Sequence, residues 1–211
     1  MSGRLVYSDT RDGRMWRVKL PLVEHRVLDD PTAQVAKLLA DDKIVGWFYG
    51  ASEFGPRALG QRSILADPRS TTVVARLNEQ IKHRQWFRPY APAVLADQVS
   101  RYFELDAPSP HMLLVAPVRE QWRERLPAIT HVDGTARIQT VTREDNAPLF
   151  ALLTQFEKLS GVGVLLNTSF NDHGEPIVES PADALAEFLA VELDALVIQD
   201  VLVTKHRAEQ R

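Results

Sequence analysis

Amphipathic stretches and short apolar runs follow one another with almost no connecting chain, and this limits the folds available more than any other feature. "PLFALLTQFEKLSG" (148–161) carries Leu149, Leu152, Leu153, Phe156 and Leu159 at helical spacing, with Gly161 as a stop. It runs straight into "VGVLLNTSF" (162–170), an apolar strand that ends in polar residues. "PTAQVAKLLADD" (31–42) reads as a helix with Val35, Leu38 and Leu39 on one face. It is followed by "KIVGWFYG" (43–50), a buried strand. "TTVVARLNEQIKHR" (71–84) predicts a helix packed through Val74, Leu77 and Ile81. "FRPYAPAVLA" (87–96), "HMLLVAPV" (111–118) and "ARIQTVT" (136–142) predict strands. "SPADALAEFLAVEL" (180–193) opens with Ser180 as N-cap, Pro181 in the first turn and Asp183 three residues after the cap, then feeds one or two strands over 195–205. No linker or repeat interrupts the pattern. It predicts an α/β fold, one domain with a mixed sheet.

Composition excludes several classes. There is no cysteine among the 211 residues, so neither disulfides nor thiolate chemistry are available, in keeping with a cytoplasmic protein. No run approaches 18 apolar residues, and the N-terminal stretch lacks the apolar centre of a signal peptide. No membrane association is expected. Net charge is −3, which gives no argument for nucleic acid.

The charge is unevenly spread. Residues 57–88 hold Arg57, Arg62, Arg69, Arg76, Lys82, Arg84 and Arg88 against two anions, Asp67 and Glu79. "EFGPRALGQRSILADPRS" (53–70) reads as a loop, because Gly55, Pro56, Gly60 and Pro68 break regular structure. Glycines beside arginines suit an anion: Arg offers a bidentate fork and Lys a point charge. Three further polar segments repeat this chemistry: "IKHRQWFRP" (81–89), "THVDGTARIQT" (130–140) and "LNTSFNDHGEP" (166–176). There is no G-x-S-x-G elbow, no H-E-x-x-H spacing and no phosphate-binding P-loop. No metal site is expected. His25, His83, His111, His173 and His206 read as ordinary surface residues. Lys82 and Arg84 together also fit the exposed C-terminal end of a helix, where cations suit the dipole. The residues alone lead to a protein that binds a phosphorylated small molecule.

"GWFYGASEFGPRALGQRSILADPR", "LNEQIKHRQWFRPYAPAVL", "HVDGTARIQTV" and "LLNTSFNDHGEPIVESPADAL" resemble, in this order, the C-terminal part of the antibiotic and Nod-factor O-carbamoyltransferases. The resemblance spans residues 43–205. It implies a single YrdC-like α/β domain, a twisted mixed β-sheet flanked by helices, with a basic concave face. Residues 1–42 would be an N-terminal extension and first helix that serve for docking, and 206–211 a tail. The implied activity converts carbamoyl phosphate and ATP, with Mg²⁺, into carbamoyl adenylate and pyrophosphate. In the family a separate actin-like-fold domain with a His-ligated metal then moves the carbamoyl group to a hydroxyl of a natural product. Here that transfer half would be a separate subunit, unless the chain is a fragment or the adenylate is used by something else. The resemblance puts Arg57, Lys82, Arg88, Arg137, Asn167 and Ser169 at the carbamoyl phosphate and ATP site, with Lys82, Arg88 and Arg57 in catalytic roles. Arg62 stands behind them and Asp133 orients Arg137. Lys82 and Arg88 lie off the apolar face of their helix, so neutralising either is expected to leave the fold intact. Two other readings compete: a basic-groove nucleic-acid-binding module, and a non-catalytic partner subunit. The few aromatics (Trp86, Phe87, Tyr90) and the negative net charge argue against the first. The presence of all the ligand residues argues against the second.

Overall fold

The structure is a computed structural model that describes residues 5–8, 15–18, 23–85 and 87–205. In chain order the strands and helices are β1 (Leu5–Ser8), β2 (Met15–Val18), β3 (Val23–Val27), α1 (Pro31–Ala40), β4 (Val45–Phe48), β5 (Arg62–Ala66), α2 (Val73–Arg76), β6 (Ala91–Leu95), α3 (Val99–Tyr102), β7 (Leu114–Pro117), α4 (Glu120–Arg123), β8 (Thr135–Val141), α5 (Ala147–Ser160), β9 (Val164–Ser169), α6 (Pro181–Ala190), β10 (Ala195–Ile198) and β11 (Val201–Lys205). β1 and β2 pair only with each other. The remaining nine strands form one mixed sheet in the order β3-β11-β10-β4-β5-β9-β6-β8-β7. β4 runs parallel to β10 and β6 parallel to β8; every other neighbouring pair is antiparallel.

Both faces of the sheet are covered, which explains why β4, β5, β6 and β10 are buried at every position. On one face, Val35 and Leu39 of α1 and Leu149, Leu152, Leu153 and Phe156 of α5 pack onto Trp47, Leu65, Leu165 and Val197. Each such side chain contributes about 1.5–3 kcal/mol on burial. On the other face, Ile64, Ile138, Leu166 and Leu196 meet Ile81, Tyr102, Phe170 and Phe188. Successive strand residues point to opposite faces, so Ile64 and Leu65 belong to different cores.

The Ser180 cap and the Gly161 stop are those the sequence predicts, and the structure adds a cap at Asp30. Asp30 accepts from the backbone N–H of Ala33 at 3.0 Å, and Pro31 follows it. Ser180 and Asp183 form a reciprocal capping box, and Gly161 takes the left-handed conformation that ends α5.

Three sequence expectations are corrected. Residues 53–70 are not one loop: between Gly60 and Pro68 the chain forms β5, fully buried and paired with β4 and β9. The glycine and proline bound a strand there instead of abolishing it. Leu159 does not join the apolar stripe of α5 but is 57% exposed, because the last turn passes beyond the sheet. The helix expected over 71–84 is α2 alone, continued by a wider π-helical turn over Leu77–Ile81. Of the N-terminal extension, β3 forms a sheet edge against β11. The expected tail, 206–211, lies outside the described residues, as do Trp86 and His206. No described helix is long and apolar enough to cross a membrane.

Candidate anion site at the end of the central strands

β9 lies between β5 and β6, and its last residues are polar: Asn167, Thr168 and Ser169. The two-residue period of a strand puts Asn167 on the same side as Leu165, which packs under α5. Beside it, Gln139 of β8 points the same way. A loop closes over this end of the sheet. Glu53 holds it: its Oε1 accepts from the backbone N–H groups of Leu59 and Gln61, both at 2.7 Å, and of Arg62 at 3.3 Å. The Nε1–H of Trp47 donates to the Gly60 carbonyl at 2.9 Å. Gly60 has φ +106°, and a Cβ there would sit 2.5 Å from Leu149 Cδ2. Only glycine lets the loop press onto the start of α5.

These elements enclose a cavity of about 100 Å³. Its wall includes Arg57 from the loop, Arg84 from the segment before β6, Arg137 from β8, and Asn167, Thr168 and Ser169 from β9. No carboxylate lines it. The three guanidinium groups feel one another. Burial first, and then the charges of Arg57 and Arg84, lower the pKa of Arg137. The Nε of Arg137 is shielded from solvent and has no acceptor among the described residues. Arg84 is held over the Tyr90 ring, 4.1 Å from its centroid, and its Nε donates to Asn78 Oδ1 at 3.3 Å.

Asn167, 1% exposed, is oriented by a one-way chain of hydrogen bonds. The Leu59 carbonyl can only accept, so Gln139 turns its Nε2 to it at 2.8 Å. The Gln139 oxygen therefore faces Asn167, whose Nδ2 donates to it at 2.8 Å. This leaves Asn167 Oδ1 buried, with no donor among the described residues. The site thus combines several strong donors with one buried, unused acceptor.

The structure brings together Arg57, Arg137, Asn167 and Ser169, as the sequence expects. It does not bring in Lys82, Arg62 or Arg88. Lys82 is 4% exposed, and its ammonium donates to the carbonyl and Oγ of Ser169 at 2.5 and 3.3 Å and to the carbonyl and Oδ1 of Asn171 at 2.7 and 2.9 Å. Burial, followed by the charge of Arg84, brings its pKa down to about 7. Lys82 is thus a buried side chain whose ammonium is spent on Ser169 and Asn171, where the sequence expects a cation free to meet a ligand. Arg62 is also buried, stacked 3.5 Å from the Phe48 ring centroid, and donates to the carbonyls of Tyr49 and Gly50. It ties the loop down from behind. Arg88 is exposed and contributes its backbone carbonyl to Arg84. Asp133 binds Thr135 and His131, which together hold its carboxyl down at about 2, and it does not orient Arg137.

Sequence reasoning missed Arg84, Gln139 and Glu53. Arg84 was open to view: it follows Lys82 by two residues in a cationic segment, but a helix end explains the pair equally well. No spacing rule marks Glu53 or Gln139, whose partners are backbone groups and a side chain far away in sequence. No three acidic or imidazole groups among the described residues converge as ligands for a metal ion.

Comparison with known proteins gives a consistent assignment. Residues 36–205 match the family described as "Carbamoyltransferase C-terminus". The nodulation protein NolNO of Sinorhizobium fredii is 48% identical over 189 residues, covering 88% of this chain and 28% of NolNO. The chain spans about a third of the length of the curated relatives it matches. Among solved structures, P. abyssi Sua5 complexed with L-threonine superposes with a TM-score of 0.55 at 18% identity, over 80% of this chain and 46% of that one. Full-length HypF in its phosphate- and nucleotide-bound form gives 0.52 at 16% identity, over 90% and 23%. These two likenesses establish the YrdC-like fold.

Proposed function

The chain belongs to the carbamoyltransferase C-terminus family, and from that premise we propose that it is the adenylate-forming half of an O-carbamoyltransferase. It uses carbamoyl phosphate and ATP to make carbamoyl adenylate and pyrophosphate. One observation carries the reading. The cavity pairs the donor-rich Arg57, Arg84 and Arg137 with the buried acceptor Asn167 Oδ1. A fully ionised phosphoryl group has only acceptors to offer and would leave that oxygen unmatched. A carbamoyl group brings an –NH₂ donor beside its phosphate and satisfies both.

In this reading the arginines gather two polyanions that repel each other and oppose the charge that builds up at the α-phosphate. Water releases carbamate and inorganic phosphate from carbamoyl phosphate. A carbamate oxygen then attacks the α-phosphate of ATP and pyrophosphate leaves. No protein nucleophile is needed. Mg²⁺ accompanies the nucleotide, held through its phosphates and offsetting their charge. Ser169 donates its hydroxyl proton to Asn171 Oδ1 at 2.7 Å, so towards a ligand it acts as an acceptor. Lys82 is a positioning residue that clamps Ser169 and Asn171.

Transfer to an alcohol falls to an actin-like-fold partner, a reading supported by relatives about three times as long as this chain. Met112 lines the cavity, and beside it Leu113 and Val115 are 77% and 61% exposed on the sheet edge next to Arg137. That apolar edge is where such a partner would shield a water-labile adenylate.

The test separates carbamoyl from phosphate recognition. Asn167→Ala is expected to weaken carbamoyl phosphate binding about five- to tenfold, the loss of one hydrogen bond, and to leave binding of acetyl phosphate, which has a methyl group in place of the –NH₂ donor, unchanged. Calorimetric titration of both ligands reads this. Equal loss for both, or for neither, contradicts the assignment.

A further inference from the structure

A second cavity, about 480 Å³, lies between residues 175–179 and α6. It falls within the range of small-molecule sites, roughly 300–1,000 Å³. Four carboxyl groups border it, and two of them are already engaged. Asp183 accepts from the backbone N–H of Ser180 at 2.8 Å within the capping box. Glu179 accepts from the Ser52 hydroxyl at 3.0 Å. Glu175 is exposed. Glu187 differs from all three: it is 6% exposed, and its Oε1 is shielded from solvent with no hydrogen-bond partner among the described residues.

Among the described residues, no lysine or arginine lines this cavity. The nearby cations are occupied elsewhere, Lys82 on Ser169 and Asn171 and Lys205 on the Val191 carbonyl at 2.5 Å. The rest of the wall is apolar, with Ile177, Val178, Ala186 and Ala190. A metal ion does not suit it, because no three acidic groups converge there among the described residues. A weakly hydrated planar cation on an aliphatic stem does, since its fork matches a carboxylate and its stem covers the apolar wall.

We propose that this cavity binds a guanidinium group on an aliphatic stem, with Glu187 Oε1 as its buried acceptor and Glu175 closing the mouth. The site is separate from the arginine cavity and does not rest on the adenylate-forming reading. A free amine-type metabolite and an arginine presented by a protein share this chemistry.

Burial first, then the negative charges of Glu175 and Asp172, push the Glu187 carboxyl up to about 7, against the opposing pull of Lys82; when protonated it also shares a hydrogen bond with the Glu175 carboxyl, which a bound guanidinium would replace. The ionised fraction therefore rises about tenfold between pH 6 and pH 8, and binding of a cation should tighten with it. The probes are agmatine and a capped Gly-Gly-Arg-Gly-Gly peptide, titrated calorimetrically into the full chain at constant ionic strength. One-to-one binding about tenfold tighter at pH 8 than at pH 6 is expected, with loss of that dependence and at least tenfold weaker binding in Glu187→Gln. Tighter binding of agmatine assigns the site to a free metabolite, and tighter binding of the peptide to a protein arginine. Should Glu187→Gln fail to fold, Glu175→Gln at the exposed mouth is expected to weaken binding severalfold. The proposal is overturned if neither probe saturates at millimolar concentration, or if both variants fold and bind like the unaltered chain.

Discussion

Replacing Arg137 with Met should make the ligand-free protein more stable and cut the stabilisation that ligand adds. The side chain is half-buried, its Nε is shielded without an acceptor among the described residues, and Arg57 and Arg84 oppose its charge. An unsatisfied buried donor costs about 1–3 kcal/mol. Met keeps an unbranched stem and removes the charge, so a net gain of about 1–2 kcal/mol is expected. At about 2–4 °C per kcal/mol for a domain of this size, Tm rises by about 2–8 °C. Anion binding works against the variant. At carbamoyl phosphate a hundredfold above Kd, the unaltered protein gains about 2.7 kcal/mol by mass action. Loss of a charge-assisted hydrogen bond, about 1.5–3 kcal/mol, weakens the variant's site roughly ten- to 150-fold. Its gain at the same concentration then falls to about 1.4 kcal/mol or less. Thermal denaturation followed with and without carbamoyl phosphate should therefore show the variant ahead in its absence, and that lead smaller by about 1.3–2.4 kcal/mol in its presence. A variant less stable than the unaltered chain without ligand, yet raised equally by it, would refute the reasoning.

Three further outcomes follow from the packing and the charges. Lys82→Met removes the ammonium donor from Ser169 and Asn171, leaving the Asn171 carbonyl and Ser169 Oγ without it while Asn171 Oδ1 keeps the Ser169 hydroxyl; a loss of about 2 kcal/mol in urea denaturation is expected, whereas Arg88→Gln, on an exposed side chain, should change stability by less than about 0.5 kcal/mol. Gly60→Ala combines φ +106° with contacts of 2.5 Å to Leu149 and 2.8 Å to Asn146, so at least about 2 kcal/mol of destabilisation is expected by the same measurement. The Glu187 carboxyl, raised to about 7 in the fold, contributes stability below its unfolded value of 4.5 that is lost as pH rises through 7; Tm profiles should show Glu187→Gln ahead of the unaltered chain at pH 8 and no better than it at pH 5.

The helices were legible because their signals are local. The cap at Ser180, the stop at Gly161 and the stripe of Leu149, Leu152, Leu153 and Phe156 all act within a turn or two. β5 was not, because its edges carry Gly60 and Pro68, and its pairing with β4 and β9 depends on residues far along the chain. The site was partly legible. Arg57, Arg137, Asn167 and Ser169 announce an anion by residue type, and they line one cavity. Type alone does not say where a cation points. Lys82 and Arg84 are two residues apart, yet the first turns inward to Ser169 and Asn171 while the second faces the cavity. The π-helical turn at Leu77–Ile81 and the positive φ of His83 set that division, and neither leaves a mark in the spacing. Glu187 gave no signal, since a glutamate within an amphipathic helix reads as solvated until its neighbours are known.

Pyrophosphate release from ATP tests the central claim most directly. The purified chain is incubated with ATP and Mg²⁺, with and without carbamoyl phosphate, and pyrophosphate is measured over time. Release that requires carbamoyl phosphate, and that falls when Arg137 is replaced by Met, is the predicted result. Release that is indifferent to carbamoyl phosphate, or that persists at full rate in the Arg137→Met protein, would contradict the account.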